Sequence, residues 1–530
     1  MYTRKQVYRA AHNAPLFFIF LLSSFIFSSC GLAPATASAT APFSAPFYIV
    51  TRDPSAATQT PFEPVTVTPT LPPSETPIPT LTETSAPALS LDPAPTSAPA
   101  PAILSHPFYT LYATVDYDSH HVAVDQSITY PNQTGVPLNE LVLAVEPMLY
   151  SNTFYLSALS VDGAPVNYTL ESQRLTVPLS TPLPAGRQVT LVLQYDLNLP
   201  VKQRTNTFGW LAYQTNLTDW YPFIVPYDAS AGWLLHDFMP WGEHLVYDSS
   251  DFEVNLRFAD PTSAPIVAAP ALAESNGEWT RYRLNGARTF ALSMSRDFLV
   301  SESAVGSVVV RSYYFAGNES AGVKMMSVGT QAVGLFESIF APYPYPALNV
   351  VELEYNDGQE YDGLCFLSDN FYDAYDGGSK NNLVTIGVHE MAHNWWFGLV
   401  GDDQALEPWL DEAMSLYSER IFYEYTNPGL VDWWWQFRVN YFGPNGWVDT
   451  TIYEATSFRD YTNAVYLNGA TFLEDLRVLI GDDAFYKFIK DYAAQMSHRR
   501  ASANDFFTIL RQHTSVDISN LIAAYFSNPH

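Results

Sequence analysis

Between about residue 105 and residue 300 the apolar positions fall at every second place. Tyr109, Leu111, Ala113, Val115 and Tyr117 alternate with Thr110, Tyr112, Thr114 and Asp116, and Val122, Val124, Ile128 and Tyr130 resume the pattern after an Asp118-Ser119 turn. Val189, Leu191, Leu193 and Tyr195 repeat it, and Pro131-Asn132-Gln133-Thr134-Gly135 and Asp162-Gly163-Ala164-Pro165 punctuate the runs. A period of two bounded by turn residues predicts an antiparallel β domain with one face buried. From about 301 the period lengthens. Val323, Met326, Val328, Val333, Leu335, Phe336 and Ile339 predict a helix over 322–340, which Pro342, Pro344 and Pro346 then end. Residues 348–353 read as a strand. Leu383, Val384, Ile386, Val388, Met391 and Ala392 predict a buried helix, and a second opens at Glu407-Pro408-Trp409 with Ala413, Met414, Leu416, Tyr417 and Ile421 on its apolar side. A third runs through Phe472, Leu473, Leu476 and Leu479 to Gly481, followed by amphipathic helices over 483–496 and 504–513.

The first hundred residues follow neither period. Residues 31–104 are dominated by Pro, Thr, Ser and Ala, a composition that cannot bury enough apolar surface to order itself and favours an extended spacer. Residues 1–30 read as a targeting segment. Arg4, Lys5 and Arg9 precede a short apolar run, Leu16 to Phe27, too short to favour a spanning helix. The run ends at Phe27-Ser28-Ser29-Cys30-Gly31, which resembles a bacterial lipobox with Cys30 as the lipidated residue. The expectation is an extracytoplasmic protein held at the membrane by a lipid on Cys30, or secreted if that anchor is absent.

Composition narrows the partners. The 530 residues carry a formal charge of −29, which argues against nucleic acid and against a basic membrane-binding face. Loss of the leader, with its three basic residues and no acidic one in 1–29, takes the charge to −32. The two cysteines, Cys30 and Cys365, exclude a disulfide framework, and Cys365 within Leu364-Cys365-Phe366-Leu367 reads as a small buried hydrophobe.

The chemistry is concentrated in His389-Glu390-Met391-Ala392-His393. Two histidines four apart project from one face of a helix, a spacing that suits zinc. A catalytic zinc takes three protein ligands and keeps one position open. Glu412, with eighteen residues between it and His393, can supply the third ligand from the second helix. Glu390 cannot point the same way as both histidines and is placed to take a proton from water at the open position. A bare H-E-x-x-H also occurs on ordinary surface helices. Here the apolar surroundings bury the motif, and buried polar groups of this kind need a partner such as a metal.

The wider stretches His389-Glu390-Met391-Ala392-His393-Asn394-Trp395-Trp396-Phe397-Gly398 and Pro408-Trp409-Leu410-Asp411-Glu412-Ala413 resemble the gluzincin peptidases of the M1 aminopeptidase family. Asn394, Asp411 and Ala413 depart from that family's Gln, Asn and Gly, and none is a metal ligand or the base. The resemblance covers roughly 105–530. It implies an N-terminal β-saddle or sandwich domain (105–300), a mainly α thermolysin-like catalytic domain (301–530) and one Zn2+ per chain. It also implies that Glu360, in a divergent version of the family's G-x-M-E-N segment, binds the α-amino group of a peptide substrate. Tyr466, in Val465-Tyr466-Leu467-Asn468-Gly469-Ala470, would stabilise the oxyanion, with Tyr461 and Tyr453 as nearby alternatives. Glu419 and Asp403 are weaker candidates to orient the ligand histidines, and His236 and His244 read as structural rather than as a second metal site. The chain ends 137 residues past His393, so the family's large C-terminal helical domain and the cleft closure it brings are not expected. The expected activity is removal of N-terminal residues from peptides. An endopeptidase of similar chemistry and an inactive binding protein on the same fold are the alternatives, and nothing in the sequence supports epoxide hydrolysis.

Overall fold

The computed structural model describes residues 104–530. The leader, Cys30 and the proline-rich stretch up to residue 103 lie outside the described residues. Among the described residues no helix is long and apolar enough to cross a membrane.

The alternating region builds an eight-stranded sheet whose centre is Phe108–Asp116, His121–Pro131 and Gln188–Asn198. Tyr109, Leu111, Ala113, Val115, Val122, Val124 and Ile128 all face the core, as the period of two requires. Gln126 interrupts this apolar face but is satisfied there: its Nε2 donates to Pro222 O at 2.7 Å, and its Oε1 accepts from the Tyr195 hydroxyl at 2.9 Å. The sheet is not wholly antiparallel. Phe108–Asp116 pairs parallel with Ser250–Phe258, from Phe108 opposite Asp251 to Val115 opposite Phe258. Local periodicity cannot reveal that pairing, because it joins strands separated by a crossover of more than a hundred residues. Two four-stranded sheets and the short two-stranded pair Tyr227–Asp228 with Gly232–Trp233 complete this β-rich half among the described residues.

The second half opens on a five-stranded sheet in the order Leu299–Val305, Val308–Tyr314, Ala347–Leu353, Leu364–Ser368, Gly358–Tyr361. Every residue of Ala347–Leu353 is buried, as expected of a strand paired parallel on both sides and covered on both faces. The helix predicted over 322–340 spans Glu319–Ile339. The segment holding Glu360 is the antiparallel edge strand Gly358–Tyr361.

Beside this sheet lies the helix Asn382–Ala392, capped by the Asn381 side chain, which accepts from Val384 N at 3.1 Å. All its residues from Leu383 to Ala392 are buried. The helix Trp409–Thr426 packs on it. A π-helix, Thr462–Asn468, runs into the helix Gly469–Ile480. Gly469 is required at that junction, because a Cβ there would lie 2.5 Å from the Ala413 Cβ. This close approach brings Tyr466 up to the residues around Glu412.

Candidate metal and peptide site

His389 and His393 leave the end of their helix side by side, with ring centroids 4.7 Å apart and planes at 82°. Glu412, in the first turn of Trp409–Thr426, closes the third corner. Its Oε2 is 3.2 Å from His389 Nε2 and 3.6 Å from His393 Nε2. Donors around a tetrahedral zinc bound at ~2.05 Å stand about 3.3 Å from one another. The donor set therefore fits zinc in spacing, in chemistry and in burial, each residue being at most 5% exposed.

The far side of each imidazole is held. His393 Nδ1 donates to Asp411 Oδ1 and also has Ser415 Oγ at 3.1 Å and Trp396 O at 3.2 Å, which directs its Nε2 lone pair inward. Asp411 is itself fixed by Gln404 Nε2 at 2.9 Å. His389 Nδ1 lies 3.3 Å from Glu419 Oε1, close enough to feel its charge although not aligned as a hydrogen bond. The two weaker candidates thus separate. Glu419 does stand behind a ligand histidine, but Asp403 does not: it is 3.0 Å from His236 Nε2 and accepts from Leu406 N. Sequence reasoning missed Asp411, which it read only as a departure from the family pattern.

Glu390 projects to the other side, toward the edge strand. Its carboxylate fits there only because residue 358 is glycine, since a Cβ on Gly358 would lie 2.1 Å from Glu390 Oε1. Glu360 arrives from the same strand, and ligand atoms of Glu360, Glu390 and His393 all lie within 4.8 Å of one another. Burial first, and then the neighbouring carboxylates, push Glu390, Glu360 and Glu412 well above the ordinary carboxylate range. A cleft this rich in buried acid calls for cations from outside the chain.

Tyr466 stacks on His389 with centroids 5.9 Å apart and planes 14° apart. Burial and the Glu412 charge raise its pKa, so its hydroxyl stays a donor. Tyr461 sits edge-on to Tyr466 at 5.6 Å with its hydroxyl buried, while the Tyr453 hydroxyl is committed to Asp237 O at 2.7 Å. Tyr466 is thus the one of the three that stacks on a ligand histidine. A π-helix at this point matches the frequent use of such turns at functional sites. Asn394 Oδ1 accepts from Gly363 N at 2.9 Å and from the Tyr343 hydroxyl at 3.0 Å, pinning the end of the histidine helix to the edge hairpin. His244 faces Glu146 at 3.4 Å, and neither it nor His236 belongs to a three-ligand group among the described residues. Cys365 is fully buried, and burial raises its thiol pKa.

Residues 325–525 match the family model for the peptidase family M1 domain. Over 235 residues the chain is 23% identical to aminopeptidase M1-D of Oryza sativa subsp. japonica, covering 41% of this chain and 26% of that protein. Over 249 residues it is 22% identical to aminopeptidase M1 of Arabidopsis thaliana, covering 43% of this chain and 28% of that one. The chain thus spans about a quarter of the length of these curated relatives. Its fold resembles that of a mutant M1 zinc metallopeptidase from Deinococcus radiodurans crystallised with a Tyr-Ser-Ala substrate, with a TM-score of 0.58, 18% identity, and coverage of 80% of this chain and 95% of that one. Residues 325–525 thus carry the match to the peptidase family M1 domain, and the fold around them is that of M1 zinc metallopeptidases.

Proposed function

We propose that the chain is a zinc aminopeptidase that removes N-terminal residues from peptides, with one Zn2+ held by His389, His393 and Glu412. The observation that carries this is the convergence of those three donor atoms beside two further buried carboxylates, Glu390 and Glu360. When bound there, zinc supplies Lewis-acid polarisation of the scissile carbonyl and acidifies water. Glu390 accepts the proton of the attacking water and returns it to the leaving amine. The Tyr466 hydroxyl donates to the oxyanion as it forms. Glu360 accepts hydrogen bonds from the substrate's α-ammonium group and so sets the register of cleavage at the first peptide bond. Asp411 and Glu419 orient the two imidazoles. Residues 105–300 and 301–530 act as β-rich and catalytic parts of one enzyme. Anchoring outside the cytoplasmic membrane through a lipid on Cys30 belongs to the same proposal and rests on the sequence alone; a Cys30→Ala chain that stays in the membrane fraction would refute it.

The test uses the zinc-loaded protein and a peptide mixture in which each peptide has a free and an acetylated form, with Glu390→Gln as blank and products read by mass spectrometry. Loss of single N-terminal residues from the free forms alone is expected. Internal cuts in both forms would replace the reading with an endopeptidase. Products no different from the blank would replace it with a binding protein.

A further inference from the structure

Glu360 is carried by an edge strand, Gly358–Tyr361, which pairs with its sheet on one side only. A second support reaches this strand from the β-rich half. Lys202 and Arg204 lie between the strands Gln188–Asn198 and Gly209–Leu211, and both meet the loop 354–357 that leads into the edge strand. Lys202 is only 4% exposed, and its three donors meet three main-chain carbonyls. Its Nζ donates to Gln203 O at 2.9 Å, to Asn206 O at 3.1 Å and to Glu354 O. Arg204 Nη1 donates to Tyr355 O at 3.1 Å, and a bidentate pair with Asp369, at 2.8 and 2.6 Å, fixes its guanidinium. Two successive carbonyls of the loop are thus held by cations from the other half.

The contacts continue to the carboxylate. Lys202 Nζ lies 5.9 Å from the centre of the Tyr355 ring, and the Tyr355 hydroxyl donates to Gln359 Oε1 at 3.4 Å. Gln359 Nε2 donates to Glu360 Oε2 at 2.9 Å. A carboxylate only accepts, so the amide nitrogen faces Glu360 and the amide oxygen faces the tyrosine. One oxygen of Glu360 is then occupied, and among the described residues no group donates to the other. Stability alone does not explain Lys202. Burial lowers its pKa to about 8, so at pH 7 its charge reduces stability relative to a neutral side chain.

We infer that Lys202 and Arg204 are positioning residues for amine recognition: by holding the Glu354 and Tyr355 carbonyls they fix the edge strand, and with it the Gln359–Glu360 pair, in the orientation that meets a substrate's α-ammonium group. The inference rests on the aminopeptidase reading and adds to it the part of the β-rich half that aims Glu360.

The experiment uses the full chain, zinc-loaded and carrying Glu390→Gln so that peptides stay intact, and calorimetric titration with Leu-Ala and with isocaproyl-alanine, which lacks only the α-amino group. The ratio of the two affinities measures the grip on the amine. Leu-Ala is expected to bind at least about tenfold tighter, as charge-assisted hydrogen bonds imply. Adding Lys202→Met or Arg204→Leu should cut that ratio at least about threefold with zinc content unchanged, as coupling within one network of contacts implies. A merely structural role would weaken both ligands together. A ratio that both substitutions leave untouched would therefore overturn the inference and leave the aminopeptidase reading standing. Arg204 has 39% of its side chain in solvent, so its variant decides the matter if Lys202→Met does not fold. A ratio near one before either substitution would instead remove the amine-binding role of Glu360, and the inference with it.

Discussion

Two groups of buried acid lie on opposite sides of the His389 ring, and they are treated in opposite ways. Behind it, Glu419 is completely buried but accepts from Arg438 Nε at 2.9 Å, from Arg438 Nη2 at 2.6 Å and from Trp434 Nε1 at 2.8 Å. Burial opposes its ionisation, yet the Arg438 charge and these donors hold its pKa below the ordinary carboxylate range. In front, Glu360, Glu390 and Glu412 are buried almost as deeply and are driven the other way, by that burial first and then by neighbouring carboxylates. Burial alone therefore does not mark function. Behind the ring the fold supplies the counter-charge itself; in front, the proposed zinc and the substrate's ammonium group would supply it.

The sharpest way to break this comparison is to neutralise one carboxylate on each side. Glu390→Gln should lower kcat by about 10²–10⁴-fold, the usual worth of a general base, with zinc content and Tm unchanged. Loss of stability with little loss of rate would place Glu390 among the structural acids. Arg438→Met should do the reverse, costing about 3–5 kcal/mol in urea unfolding because it leaves Glu419 buried and unpaired. A stability change below about 1 kcal/mol would mean that Glu419 is not compensated as described. Between the two sides stands Asp411, which holds a ligand without being one. Asp411→Asn should weaken zinc binding about 10–100-fold in a competition titration with a chelating dye.

The smallest effect concerns Glu352, a buried carboxylate far from the metal ligands in sequence. It accepts from Phe315 N at 2.9 Å and from Asn318 Nδ2 at 2.8 Å, but has no cation within ion-pair distance among the described residues. Burial raises its pKa from 4.5 to about 7. A raised carboxyl pKa gives stability that is fully present below the unfolded value and is lost as pH rises through the folded one. Relative to Glu352→Gln, the wild type should thus lose on the order of 1 kcal/mol between about pH 4.5 and pH 7. A stability gap that stays constant across that window would show that its two donors suffice to keep it ionised.

The sequence made the candidate donor set legible because its geometry is local. The spacing of four from His389 to His393 brings both imidazoles to one helix face, and burial of that helix follows from its apolar surroundings. Glu412 was legible for a similar reason, at the start of the next apolar helix. The supporting contacts were not. His393 meets Asp411 only through the packing of two helices, and Gly358 matters only because a strand passes within contact distance of Glu390. Neither has a spacing that marks it. In the sequence Glu419 is one acid among many, since Arg438, nineteen residues further on, gives no local sign that it pairs with it. The alternating strands were legible, whereas the parallel pairing of Phe108–Asp116 with Ser250–Phe258 depends on distant chain.

The central claim is that the uncompensated face of this pair of acidic regions is a single zinc site. A crystal of the zinc-loaded protein, measured on both sides of the zinc absorption edge, tests it directly. The account predicts one anomalous peak per chain, within about 2.0–2.2 Å of His389 Nε2, His393 Nε2 and a Glu412 oxygen. A stoichiometric peak elsewhere, or none at those three residues, would contradict it.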